Sequence, residues 1–312
     1  MSQKVLSMLV AMAASTIQAA TTPASTLPAA TLPAERDVFA MAAANGRRAY
    51  EALARSRRFV TGWLNHADPK TGLIPRNLST HQNIWNAKDA AADNYPFMVL
   101  TCALTDEDLF RGRMLDMLRT ETRLTSRVGR LPDTWNFSKE AFDAEAVDLD
   151  AIIFGAAEYC KDGLMPLTEW LGPSPWSERM IGILDDILKH APVHTPLGPI
   201  PSTNTEVNGD LLQVLCRVFW MTGDRKYLAW AERIGDYYLF HRHPTRDEPT
   251  IRLRDHGSEI VGGLSELYLA THFAHRSKKN HYRAPLHEML DRILDVGRSE
   301  HGLFDNVVDL KT

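Results

Sequence analysis

A recurring two-helix unit limits what this chain can fold into more than any other feature. Short segments marked by Gly or Pro return along it: TGLIP at 71–75, GRLPD at 129–133, LGPIP at 197–201, IRLRD at 251–255 and HGLFD at 301–305. Their starts lie roughly 50 to 70 residues apart, near the long periods of repeat architectures. Each follows an amphipathic stretch and precedes one richer in small and apolar residues. Polar turns such as LTDED at 104–108 and MTGDRKY at 221–227 then lead into the next unit. Apolar spacing between these marks is helical, and strand-like alternation is confined to the connections, so the class is all-α. Such a hairpin buries its apolar faces only against its neighbours, so the units must stack side by side.

The composition removes several function classes. The 312 residues carry 35 Lys+Arg against 39 Asp+Glu, a formal net charge of -4. That balance argues against nucleic-acid binding, which shows a strongly basic face. No uninterrupted apolar run reaches the roughly 18 to 20 residues of a membrane span. The opening MSQKVLSMLVAMAASTIQA pairs a lysine with an apolar core and small residues near position 20. It reads as a signal peptide over 1–20, and a secreted or periplasmic protein is expected. An Ala/Thr/Pro-rich linker over 21–35 precedes the helical body, 36–312. Cys102, Cys160 and Cys216 each sit within an apolar helical pattern and read as buried free thiols. With no CxxC, HExxH or Cys/His cluster, neither a metal nor a cofactor is expected.

The phrase TGDRKYLAWAERIGDYYL at 222–239, with second helices such as DHGSEIVGGLSELYLATH at 255–272, resembles the (α/α)6 toroids of carbohydrate enzymes, the six-hairpin glycosidase superfamily. Unsaturated glucuronyl hydrolases and toroid polysaccharide lyases are similar proteins. The resemblance covers nearly everything after Arg36 and implies fold more strongly than reaction. It also implies six hairpins, of which this chain supplies about four and a half. A C-terminally truncated toroid is expected, because an open ring would expose apolar surface.

In such a toroid the long loops and the starts of the inner helices line one mouth. The unusual residues fall there: Trp85, Asp89, Asp93, Asn94 and Tyr95, then Trp135, Asn136, Glu145, Asp148 and Asp150, then Glu206 and Asp210, then Asp255, His256 and Glu259. Acids one turn apart repel one another across a helix face. Each alone is most simply a cap or a partner of the helix dipole, Asp255 and Glu206 best of all. Asp93 and Asp148 sit deeper among small and apolar residues, and are expected on the cavity wall.

Glycosidic cleavage generally needs one protonated and one ionised carboxyl. The resemblance implies aspartates on inner helices in that role, mapped here to Asp93 and Asp148, with Asp89 nearby. Trp85, Trp135 and Tyr95 are candidate stacking platforms for sugar rings. Asn94, Asn136, Glu206, Asp210 and Glu259 are candidate substrate contacts. Arg76, Arg130, Arg252 and Arg254 suggest a uronate-bearing saccharide, since Arg binds carboxylates bidentately. The leading expectation is a glycoside hydrolase. A polysaccharide lyase using Tyr95 or His256 as the proton acceptor is the enzymatic alternative, and a non-catalytic saccharide-binding protein or inactive fragment is the alternative from another class.

Overall fold

The computed structural model describes residues 35–311. The expected signal peptide lies outside these residues, as does the linker except for Glu35. The chain divides into two units at Arg58/Phe59. The first described helix, α1 (Glu35–Asn65), runs across that division.

The second unit is a succession of helical hairpins. A wide π-helical segment, Ala87–Asn94, continues into α2 (Tyr95–Thr105). A short α3 (Glu107–Leu109) and a second wide segment, Phe110–Met114, lead into α4 (Leu115–Thr125). Then come α5 (Leu149–Glu158), a third wide segment Tyr159–Leu164, and α6 (Met165–Leu171). After α7 (Pro175–Lys189) the chain forms α8 (Thr205–Thr222), α9 (Arg225–Asp236), α10 (Glu259–Ala274) and α11 (Arg276–Val296). The helices match the repeat read from the sequence, and the class is all-α. Among the described residues no helix is long and apolar enough to cross a membrane.

The turns show why the units close where they do. Gly223 ends α8 at φ 73°, a left-handed conformation that favours glycine, and Asp224 then caps α9 by accepting from the Lys226 amide. The long loops hold only short antiparallel pairs. Ile84–Trp85 pairs with Trp135–Asn136, Val193–Thr195 with Gly198–Ile200, and Thr250–Arg252 with Val307–Asp309. The last pairing brings the stretch after HGLFD back onto the loop that precedes α10.

The second helices of the hairpins form a central row. Ala87–Asn94 packs against α5 and Tyr159–Leu164, these pack against α8, and α8 packs against α10. Each also packs against the first helix of the next hairpin, α8 on α9 and α10 on α11 among them. Small residues let the row approach closely. A Cβ placed on Gly209 would stand 2.3 Å from the Glu259 carbonyl carbon, and one on Gly263 would stand 2.6 Å from the Gly209 carbonyl oxygen. One on Gly163 would meet the Ala91 carbonyl oxygen at 3.0 Å. The three cysteines are buried, and none of them forms a disulfide among the described residues. Between the flanking helices, Arg179 of α7 forms a fully buried ion pair with Glu121 of α4, Nη2 to Oε1 2.5 Å, and also donates to the Arg130 carbonyl.

Gly209→Ala must therefore push α8 from α10. The expected loss is about 1–3 kcal/mol, as for other overpacked interiors, measured as a lower urea midpoint with an unchanged slope.

Candidate functional site

The opening of the first central helix explains its two aspartates. Asn86 caps Ala87–Asn94, its Oδ1 accepting from the Ala90 amide at 3.0 Å. Asp89 is engaged locally, accepting from the Asn86 side chain and lying 2.9 Å from Arg76 Nε. Asp93, one step on, is exposed and faces other acids. Partial burial first, then the charges of Asp89 and Asp162, push its carboxyl above the usual range. Wide helical segments are often found at functional sites. Here two of them, Ala87–Asn94 and Tyr159–Leu164, pack together and carry Asp93 and Asp162.

Around them lies a cluster of carboxylates from every member of the central row. Glu158 and Asp162 come from the second helix, Glu206 and Asp210 from α8, and Glu259 from α10. Few positive groups answer them. Lys161 Nζ lies 2.8 Å from both Asp162 Oδ1 and Glu259 Oε1. His256 Nδ1 lies 3.9 Å from Glu158 Oε1 and from Asp162 Oδ2. His256 arrives through a strained turn, since Asp255 adopts φ 54° and is held by Arg252 Nη2 at 2.6 Å. Asp is among the residues that tolerate that region.

Burial and mutual repulsion hold two of these acids in their neutral form. Asp210 is 1% exposed, neither of its carboxylate oxygens has a hydrogen-bond partner, and burial pushes it up to about 8. Glu158 is raised still further, by burial, a hydrogen bond with Glu206 and the charge of Asp210. Glu158, Glu206 and His256 present one ligand atom each, all within 4.8 Å of one another, and are the described residues best placed to hold a metal ion. Beside the cluster, the starts of the same helices line a cleft of about 590 Å³ that includes Asn86, Lys88, Asp150, Phe154 and Asn204.

Several expectations are corrected. Asp148 does not sit in a cavity wall: it precedes α5, is exposed, and caps the helix by accepting from the Ala151 amide at 3.0 Å. The acid of the second central helix that faces Asp93 is Asp162. Asp255 is no cap either, because its partners are Arg252 and His256. The cap of α8 is Asn204, accepting from the amide of Glu206. Tyr95 is 5% exposed, with its hydroxyl donating to the Met114 carbonyl at 2.6 Å and accepting from Trp176 Nε1 at 2.8 Å. It is a structural strut, unsuited to act as a base or a platform. Trp85 is core at 3% exposure, and Trp135 packs edge-on to Phe142.

The remaining candidates divide by position. Asn136 is buried in a loop network with Asn83 and Asp143, and the Asn94 side chain lies 3.5 Å from the Asp89 carbonyl. Arg76, Arg130 and Arg252 are committed to Asp89, Asp186 and Asp255, which removes the reason for expecting them to grip a uronate. Arg254 is exposed. Asp93, Glu206, Asp210, His256 and Glu259 do come together. Sequence reasoning missed Glu158, Lys161 and Asp162, although EYCKD repeats the acid spacing of the other central helices.

No protein-family model matches this sequence, and no curated protein does.

The raised acids make stability depend on pH. Asp210 and Glu158 bind a proton more tightly folded than unfolded, where they titrate near 3.8 and 4.5. Ionising them therefore favours the unfolded chain, so stability is greatest near pH 4 to 5 and falls toward pH 8, by about 1.4 kcal/mol per pH unit for each group. In chelating buffer, Asp210→Asn is expected to lose about 3–4 kcal/mol less than the parent between pH 5 and pH 8, measured by urea denaturation at both.

Proposed function

We propose that the protein is a glycoside hydrolase of toroid architecture whose proton donor is Asp93 and whose ionised partner is Asp162. The observation that carries this reading is a pair of carboxylates in unlike surroundings on touching helical segments, one among other acids and one beside an ammonium. Asp93 has its proton affinity raised by burial and by neighbouring negative charge. Asp162 lies 2.8 Å from the Lys161 ammonium. Glycoside hydrolysis needs that division: one acid to protonate the leaving oxygen, one carboxylate to attack or to activate water. An acid whose surroundings raise its proton affinity is suited to the donor's part.

The row of hairpins supports the architecture. The neighbouring cleft has the size and mixed lining of a saccharide site: polar groups on Asn86, Asp150 and Asn204 for hydroxyls, and the Phe154 ring as an apolar face. The charge of the centre favours a neutral or amino sugar over a uronate. A uronate carboxylate would approach at least four other acids with one ammonium among them, and like-charge contacts at short range are costly.

The test is release of reducing ends from neutral, amino-sugar and uronate oligosaccharides. Asp93→Asn and Asp162→Asn should each lower kcat about a hundred- to ten-thousand-fold, with Asp148→Asn close to the parent. The parent rate should fall on the alkaline side as Asp93 loses its proton. Cleavage of uronates alone would overturn the substrate assignment, and silence on all three classes would overturn the hydrolase reading. Phe154→Ala should raise KM several-fold with a smaller change in kcat, because the ring acts in binding.

A further inference from the structure

The acidic centre holds more carboxyl groups than the protein supplies donors for. Glu158, Glu206 and His256 reach it from three separate elements, with ligand atoms inside a 4.8 Å span. The 3.9 Å between His256 Nδ1 and Glu158 Oε1 is too long for a hydrogen bond. Two ligands of one ion at metal–ligand lengths of about 2.0–2.2 Å stand at most about 4.4 Å apart, a limit this pair meets.

Asp210 supplies a second, independent observation. It is almost wholly buried, both carboxylate oxygens lack a partner, and the groups it faces are Glu259, Lys161, Asp162 and Glu206. A buried carboxylate left without donors is costly, and buried charges are normally paired or coordinate metals. Lys161 cannot serve all of them, being already shared between Asp162 and Glu259 at 2.8 Å each. The second oxygen of Asp162 is likewise buried without a partner.

We propose that Glu158, Glu206 and His256 form a binding site for one divalent first-row transition ion, Mn²⁺ or Zn²⁺, with the open oxygens of Asp210 and Asp162 beside it. The donor set decides the class of ion. Imidazole with carboxylates suits first-row metals, whereas Ca²⁺ and Mg²⁺ favour all-oxygen shells. The three ligands come from three different helical segments, so occupancy would tie the second, third and fourth hairpins together at their deepest point. The site goes beyond the hydrolase reading and does not rest on it, since binding is read without any saccharide.

The experiment is calorimetric titration of the full chain, stripped with EDTA and dialysed, with MnCl₂, ZnCl₂ and CaCl₂. One ion per chain is expected, with Mn²⁺ or Zn²⁺ at least tenfold tighter than Ca²⁺. Glu206→Gln and His256→Gln should each weaken it tenfold or more, and Asp148→Asn should leave it unchanged. Far-ultraviolet circular dichroism of each stripped variant must match the parent, and Glu206→Gln should melt no lower, because it relieves repulsion. Three outcomes overturn the proposal: no heat from any ion with a native spectrum, binding that survives both ligand substitutions, or saturation by glucosamine but by none of the metals. Failure here leaves the Asp93 and Asp162 kinetics untouched, and failure of those kinetics leaves the titration untouched, so the two readings fall separately.

Discussion

Close approach within the central row is the constraint on which the rest of this structure depends. Gly209 and Gly263 let the backbones of α8 and α10 meet with no side chain between them, and Gly163 does the same against the Ala91 carbonyl. At that separation whatever side chains flank the contact are forced together. Glu206 and Asp210 bracket Gly209, Glu259 lies against it, and Asp162 precedes Gly163. The packing that holds the hairpins together therefore also concentrates the carboxylates. Larger residues at these glycines would separate the helices and dilute the charge.

The concentration of acids is unfavourable for folding. A chain selected only for stability would place apolar residues where Glu158 and Asp210 are buried, because burying a charge without a partner costs several kcal/mol. Elsewhere this protein follows that rule. The buried guanidinium of Arg179 is satisfied on every side by Glu121 and the Arg130 carbonyl. The rule is broken at the centre, where the partners are few and burial raises the proton affinity of Glu158 and Asp210. Such violations are expected at functional sites, where perturbed proton affinities cluster.

How much was legible in the sequence follows from how local each signal is. Helices were readable because their spacing of apolar residues is local, and so was the alternation of long Gly/Pro-marked loops with short polar turns. Among the site residues, Asp93, Glu206, Asp210 and Glu259 were readable because acids near helix starts repeat from unit to unit, and His256 because it stands between two of them. Asp148 shows where such reading fails. In the run AEAVDLDAI the sequence leaves open whether the acid lies before the helix or within it. The structure starts α5 at Leu149, so Asp148 becomes the cap. Tyr95 fails for a different reason: a tyrosine at a helix start is equally able to face a cavity or to brace the core, and only Trp176 and Met114, distant in sequence, decide between them.

The sequence by itself determined an all-α chain of stacked hairpins, because periodicity and turn chemistry act over a few residues at a time. It also determined that acids gather near the starts of the second helices. Only the tertiary structure decided which of those acids meet. That depends on the rotation of each helix about its axis and on how near its neighbours come, and both are set by packing between segments far apart in the chain. For the same reason the Glu158, Glu206 and His256 grouping has no motif spacing to announce it. Its members lie on different segments and share a place only after α5, α8 and the turn before α10 have packed.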